Sequence, residues 1–491
     1  MVNKNRKIWP AALSLSLLVP ALSACSFGAA PSEPEPTTLR IGMTNSWYDE
    51  NYFRQEYTEL FELQNKHVTI EFVPVEGNNY YSDEPQEYKD PVDLMKEMMQ
   101  GPNPPDVVMF THDQFPMLVE ENLLSPLDPF ISRDNFKVDD IVPAVIDSIK
   151  SVGNNQIYAL SPTFYSSALI YNKGMFDDRG VSYPEDNMTW NEVFDLARRV
   201  SPGDGSKFGF NFSSYNHGEL YYTMQNYSSM LRLRTFSEDG EQMTVNTDKW
   251  EEVWSTVINL ANEKVIPNMT WEDMEKMEYR GPFSYNDFLS NRLAMSIISF
   301  SEIREITNAN KNAEQYPDYT PIDWDLVTLP ESDTSGTNQF GLQMLMAVNA
   351  NAANPEVAWD YISFMNGEDW ARLKSRSSYN LISNKNYTAS SVGDEYNIGA
   401  FYNITPSFAD YTEDYSIYEK YPNIYEVMYM GQEHFNNAKD GNIGVREALQ
   451  KWEQEGNEAL LRMRENPEEF VPPGMGGGVE VIESTDAAVS N

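Results

Sequence analysis

Across 491 residues there are only four histidines and one cysteine. His67, His112, His217 and His434 lie far apart, and with a single thiol they do not make the His and Cys spacing of a zinc site, so no metal is expected. One cysteine also excludes an internal disulfide. Basic residues are scarce: 35 Lys and Arg stand against 75 Asp and Glu, a net charge of −40. Nucleic-acid binding draws its affinity from clustered Lys and Arg that release counterions, so nucleic acid is not an expected partner. Long apolar runs are absent beyond the amino terminus, and a mean hydropathy of −0.53 excludes a polytopic membrane protein. Reactive-site motifs are missing too. The chain has no Gly-x-Ser-x-Gly elbow, no His-Glu-x-x-His, no Gly-x-x-x-x-Gly-Lys and no Gly-x-Gly-x-x-Gly after a strand, so neither a catalytic nucleophile nor a bound cofactor is expected. A glycosidase pair of carboxylates is defined by separation in space, so a secreted glycoside-active enzyme stays open as an alternative.

What is present begins with a targeting segment. Lys4, Arg6 and Lys7 form a basic region, Ile8 to Leu22 is an apolar stretch too short for a normal span, and Leu22-Ser23-Ala24-Cys25 follows. That tetrad resembles the lipobox of bacterial lipoproteins; an ordinary signal peptide that contains a cysteine is the other reading. The lipobox implies a signal peptide over 1–24 and an acylated Cys25 holding the chain to the extracellular face of the cell membrane. Residues 25–38, with three prolines and almost nothing to bury, read as a tether. The glycine-rich end, residues 467–491, reads as disordered.

Between tether and tail, periodicity switches repeatedly between two and about 3.6. Strands are expected at Leu39–Met43, Val68–Val75, Val107–Phe110, Gln156–Leu160, Ala168–Tyr171, Leu293–Phe300, Asp325–Thr328 and Leu342–Val348. Helices are expected at Tyr52–Leu63, Asp93–Gln100, from Thr189-Trp-Asn-Glu192, which fits a capping box, at Asp248–Lys264, from Asn354-Pro355 to Gly367, and at Val445–Met463. Glu76 to Asp90 reads as a long loop. The alternation is that of an α/β protein with a parallel sheet covered on both faces.

Four segments then resemble the extracellular solute-binding proteins of ABC importers, the family that includes the maltose-binding protein. They run from Pro105 to Asp128, from Ile157 to Phe176 with the Thr189 box after it, from Phe288 to Ile298, and from Val348 to Met365. The resemblance implies a two-lobed, periplasmic-binding-protein-like (type II) α/β fold with discontinuous lobes and a hinge. Lobe one would be 39–158 plus 342–386 and lobe two 159–341 plus 387–466. It further implies a monomer without enzymatic activity that captures a mono- or oligosaccharide between the lobes and hands it to permease subunits. Presentation of the bound ligand to a membrane sensor kinase is the alternative that sequence does not separate.

Thr111-His-Asp-Gln114 closes the first of those segments' strands and fits a capping box. Asp113 lies past the carboxyl end of a parallel strand, where open α/β sheets place ligands, and the resemblance implies that it accepts hydrogen bonds from sugar hydroxyls. Stabilisation of the helix start is the other role open to it. His112 reads as structural. Phe110 stands where some oligosaccharide binders carry tryptophan, which weakens an expectation of maltodextrins. Aromatic residues are abundant, and Trp47, Tyr48, Tyr80, Tyr81, Tyr165, Tyr215, Tyr221 and Tyr222 lie in stretches that read as polar loops. Those that the resemblance puts at the cleft are Trp47, Tyr165, Phe300, Phe340 and Tyr425.

Overall fold

Every residue of Val107–Phe110 is buried, as a run of apolar side chains enclosed on both faces of a sheet should be. The structure, a computed structural model, describes residues 35–44, 49–75, 91–215, 219–269, 276, 281–330, 339–377, 379–388, 396–404, 417, 421 and 424–465. Its strands are Thr37–Met43 (β1), Val68–Pro74 (β2), Val107–Phe110 (β3), Thr163–Asn172 (β4), Met295–Ser299 (β5), Trp324–Val327 (β6), Phe340–Leu342 (β7), Leu345–Val348 (β8) and Leu381–Ile382 (β9). The α-helices of the first half are Glu50–Phe53 (α1), Glu59–Gln64 (α2), Pro91–Gln100 (α3), Phe115–Glu120 (α4), Asp128–Asp134 (α5), Pro143–Val152 (α6), Lys173–Arg179 (α7), Trp190–Val200 (α8) and Leu220–Met230 (α9). Those of the second half are Asp248–Asn262 (α10), Phe300–Lys311 (α11), Pro355–Met365 (α12), Glu368–Lys374 (α13), Ile424–Lys439 (α14) and Val445–Glu465 (α15).

The first sheet has the order β2-β1-β3-β8, with β1 parallel to both β2 and β3 and with β8 antiparallel to β3. The second has β4 between β5 and β6, and the first half of β4 also pairs with β7 and β9. Here the parallel expectation fails. β5 and β6 both run antiparallel to β4. A single strand thus serves two ladders, with β7 and β9 along Thr163–Ser166 and β5 and β6 along Ser167–Asn172.

Three further departures have local causes. The helix expected over Tyr52–Leu63 is α1 and α2 joined by a π-helical stretch, Arg54–Thr58. Its inward residues Phe53, Tyr57 and Phe61 recur every four positions, and the wider turn keeps that spacing on one side. Gln156–Leu160 forms no strand, since the carbonyl and N–H of Ile157 bond the start of α5 through the Leu127 N–H and the Asp128 carboxylate, at 2.7 and 2.9 Å. Leu342–Val348 is two strands, because the chain changes partner from β4 to β3 between Leu342 and Leu345.

Buried polar groups lock the first sheet to its helices. Asp106, 1% exposed, accepts from the backbone N–H of Arg40 at 3.1 Å and of Asn354 at 2.7 Å, joining β1, the entry of β3 and the start of α12. Behind the second sheet lies an aromatic core. Trp190 of α8 packs on Phe194, Phe210, Phe212 and Tyr227, and Trp254 of α10 stacks on Trp452 of α15 with ring centroids 5.8 Å apart. Offset and edge-on aromatic packing of this kind favours a fixed geometry. Through Tyr227 it joins α9 to α8 and to Phe212.

Candidate functional site

Strand parity decides which side chains of β4 share a face. Along β4 the side chains alternate, so Tyr165 and Ser167 share one face while Phe164 and Ser166 share the other. Tyr165 is 41% exposed. Its cross-strand neighbour is Gly341, over which the ring lies: a Cβ at 341 would sit 2.2 Å from the Tyr165 hydroxyl oxygen. Only a residue without a side chain lets the tyrosine take this position.

Next along the same face, Ser167 lines a cavity of about 240 Å³. Ser299 at the end of β5, Gln339 just before β7, Ser213, and Asn226 and Ser229 of α9 supply the other neutral polar groups. Phe212, Met230, Ile297 and Ile298 supply apolar wall, continuous through Phe212 with the aromatic core. Glu302 brings the cavity's one carboxylate. It belongs to the capping box that starts α11, accepting from the Ser299 N–H and hydroxyl at 2.9 Å each, and from the Ser214 hydroxyl at 2.7 Å. With its lone pairs so used, Glu302 fixes the wall. Hydroxyls and amides beside an apolar surface suit an uncharged, hydroxyl-rich solute.

The turn that carries Asp113 is built at the ends of β1 and β3. Thr44 donates its hydroxyl to Gln114 at 2.6 Å, and the Gln114 side chain accepts from the Thr111 N–H at 3.2 Å, so the capping box forms around the short 3-10 turn His112–Gln114. Asp113 sits in that turn, partly exposed. His112 accepts at Nδ1 from the Leu342 N–H at 3.4 Å, tying the turn to β7. Burial pushes its imidazole down to about 4, with Asp113 pulling weakly the other way, so the ring is a neutral acceptor at physiological pH. That is a structural role, as expected.

The expected site residues fall into three groups. Tyr165 and Asp113 have exposed surface, and Tyr425, at the start of α14, is 49% exposed. Phe300 and Phe340 are core residues instead: Phe300 is 5% exposed with its ring edge toward Phe401, and Phe340 is 3% exposed against Phe164. Their immediate predecessors Ser299 and Gln339, which were not singled out, line the cavity. Trp47 and Cys25, together with Tyr48, Tyr80 and Tyr81, lie outside the described residues. Tyr221 and Tyr222, read as loop, stand on α9, Tyr221 buried and Tyr222 outward. The Ser-Phe-Ser-Glu302 pattern was the available signal for Ser299, since a capping box fixes where β5 ends. Among the described residues no group of three or more His, Cys, Asp and Glu could hold a metal ion, and no helix is long and apolar enough to cross a membrane.

A sequence profile of the family described as bacterial extracellular solute-binding protein matches residues 46–372. Binding proteins of Brucella abortus and Brucella suis are 20% identical over 361 residues, covering 71% of this chain and 77% of theirs. Among solved structures, a family 1 extracellular solute-binding protein from Alicyclobacillus acidocaldarius has a TM-score of 0.54 at 13% identity, covering 87% of this chain and 99% of its own. A sugar transporter from Rhizobium etli in an open conformation gives 0.51 at 16% identity over 86% and 99%. The sugar-binding protein MalE from Xanthomonas citri gives 0.50 at 13% identity over 88% and 99%. With the match covering the chain from β2 to β8 and the neighbours sharing the two-lobed type II α/β fold, this chain belongs to the family of bacterial extracellular solute-binding proteins.

Proposed function

We propose that the protein captures a neutral carbohydrate between its lobes, one centred on each sheet, and delivers it to the permease subunits of an ABC importer while held to the outer face of the membrane by an acylated Cys25. The observation that carries the reading is the cavity: six uncharged hydrogen-bonding side chains and an apolar wall, with the exposed Tyr165 ring beside it. Ser167, Ser299, Gln339 and Asn226 take ligand hydroxyls, Tyr165 covers a C–H face, and Asp113 reaches the ligand from the facing lobe. Two structural neighbours are named for sugar transport or sugar binding, which supports the same solute class. A bound solute contacts both lobes only when they are closed, so it selects the closed state.

Thermal unfolding in the presence of sugars tests this. Saturation with a cognate sugar at a hundred times its Kd adds about 2.7 kcal/mol to the stability of the folded form. Gln339→Ala and Asp113→Ala weaken that sugar about tenfold each, as loss of a hydrogen bond to the ligand does. The sugar is recovered unchanged after incubation. A broad panel of mono- and oligosaccharides giving no shift, while amino acids or polyamines do, overturns the carbohydrate reading.

A further inference from the structure

The chain is held at every position as it passes the cavity over residues 212–215. Phe212 is buried in the aromatic core, its ring 4.8 Å from that of Phe210. Ser214, 1% exposed, donates its hydroxyl to Glu302 at 2.7 Å, and the Tyr215 hydroxyl donates to Glu305. Glu302 and Glu305 stand three residues apart on α11 and so share a face, where two like charges repel. Here consecutive residues of one segment supply each carboxylate with a donor. The backbone is pinned as well. The Asp287 N–H donates to the Ser214 carbonyl at 2.8 Å, and Asp287, fully buried, is itself held by Arg292 at 3.1 Å. Of the three polar side chains in the segment, only that of Ser213 lines the cavity.

A serine hydroxyl has one proton to give and two lone pairs to offer. The Tyr215 N–H takes one Ser213 lone pair at 3.2 Å, and among the described residues no acceptor takes the Ser213 proton. Ser299 differs, since its proton goes to Glu302 at 2.9 Å. We infer that Ser213 is a further ligand-contact residue, giving its hydroxyl proton to a hydroxyl oxygen of the bound sugar, and that Glu302 and Glu305 are the positioning residues that hold it at the wall. This rests on the carbohydrate reading above and adds a contact of defined polarity: the sugar oxygen at Ser213 accepts, whereas one at Ser299 donates. The two serines thus read the direction of a hydroxyl as well as its presence. A site built to bond a sugar oxygen leaves its own donor unpaired when that oxygen is missing, so the deoxy analogue is rejected.

Calorimetry on the full protein with D-glucose, D-mannose, D-galactose, D-xylose, maltose and cellobiose identifies the tightest binder of the six, and its monodeoxy forms are titrated next. Ser213→Ala weakens that sugar about three- to tenfold, with little change in a urea titration. One monodeoxy form is weakened by the same factor in wild type and loses nothing further in Ser213→Ala, because both changes remove one bond. Glu305→Ala weakens the parent sugar about threefold in wild type and has no effect on affinity in the Ser213→Ala background, while Glu305→Gln, which still accepts from Tyr215, restores most of the loss. Unchanged affinity in Ser213→Ala, or a loss there that every monodeoxy form repeats in full, overturns the Ser213 contact and leaves the cavity standing. Losses from Ser213→Ala and Glu305→Ala that simply add, as a purely structural Glu305 would give, overturn the positioning role. Failure of all six sugars to bind the wild type overturns the carbohydrate reading and this one with it.

Discussion

At the residue scale, Tyr165 and Gly341 act as one unit. Alanine at 341 would force the ring away, since a methyl group 2.2 Å from the hydroxyl oxygen has no room. Gly341→Ala is therefore expected to lower stability by about 1–3 kcal/mol through overpacking and to weaken sugar binding together with it, read by urea titration and calorimetry. His112 gives a prediction with a sign. Its folded value near 4 lies below the ordinary 6.5, so as pH falls the unfolded chain takes the proton first. The contribution is complete above about 6.5 and is lost progressively down to about 4, up to about 3 kcal/mol in all. Many carboxylates titrate in the same window, so the measurement is the difference between the melting profiles of wild type and His112→Gln across that range. Parallel profiles would remove His112 from the account. This is also the scale at which the sequence was hardest to read. Phe300 and Phe340 point into the core, and Ser299 and Gln339, one position earlier, line the cavity. In a strand a shift of one position exchanges the two faces, and aromatic content alone does not report which face a residue takes.

At the scale of elements, local signals were more reliable than pairing. The Thr189-to-Glu192 and Thr111-to-Gln114 boxes both form at helix starts, because a cap is made by residues close in sequence. The direction of β4 relative to β5 and β6 depends on where the chain comes from, which no short window contains. Nor was the break between β7 and β8 legible, since both halves are apolar and only the change of partner separates them. Asp106 shows how distant elements are tied afterwards. Its carboxylate serves N–H groups from β1 and from the residue before α12. Asp106→Ala leaves these donors unpaired in a dry setting and should cost about 2–3 kcal/mol, whereas Thr189→Ala, at an exposed cap, should cost about 1 kcal/mol. Chemical denaturation of the two variants side by side checks the ranking; equal losses would mean that the buried carboxylate is replaced by water.

For the whole molecule, the two-lobed fold leads to one measurable change. Small-angle scattering of the protein with and without a cognate sugar should show a smaller radius of gyration when the sugar is bound, and identical curves would argue that capture needs no closure. The overall plan was legible because alternation of strand and helix persists along hundreds of residues and survives local errors. On the closure proposed above, β4 is the strand about which the two ladders turn. Its registers change owner between Ser166 and Ser167, and Ser167 lines the cavity. The guest would then rest almost on the pivot. A rotation there too slight to disturb a seated ring would sweep the outlying helices through a much longer arc, so an external partner could sense occupancy from features far from the sugar and blind to its identity.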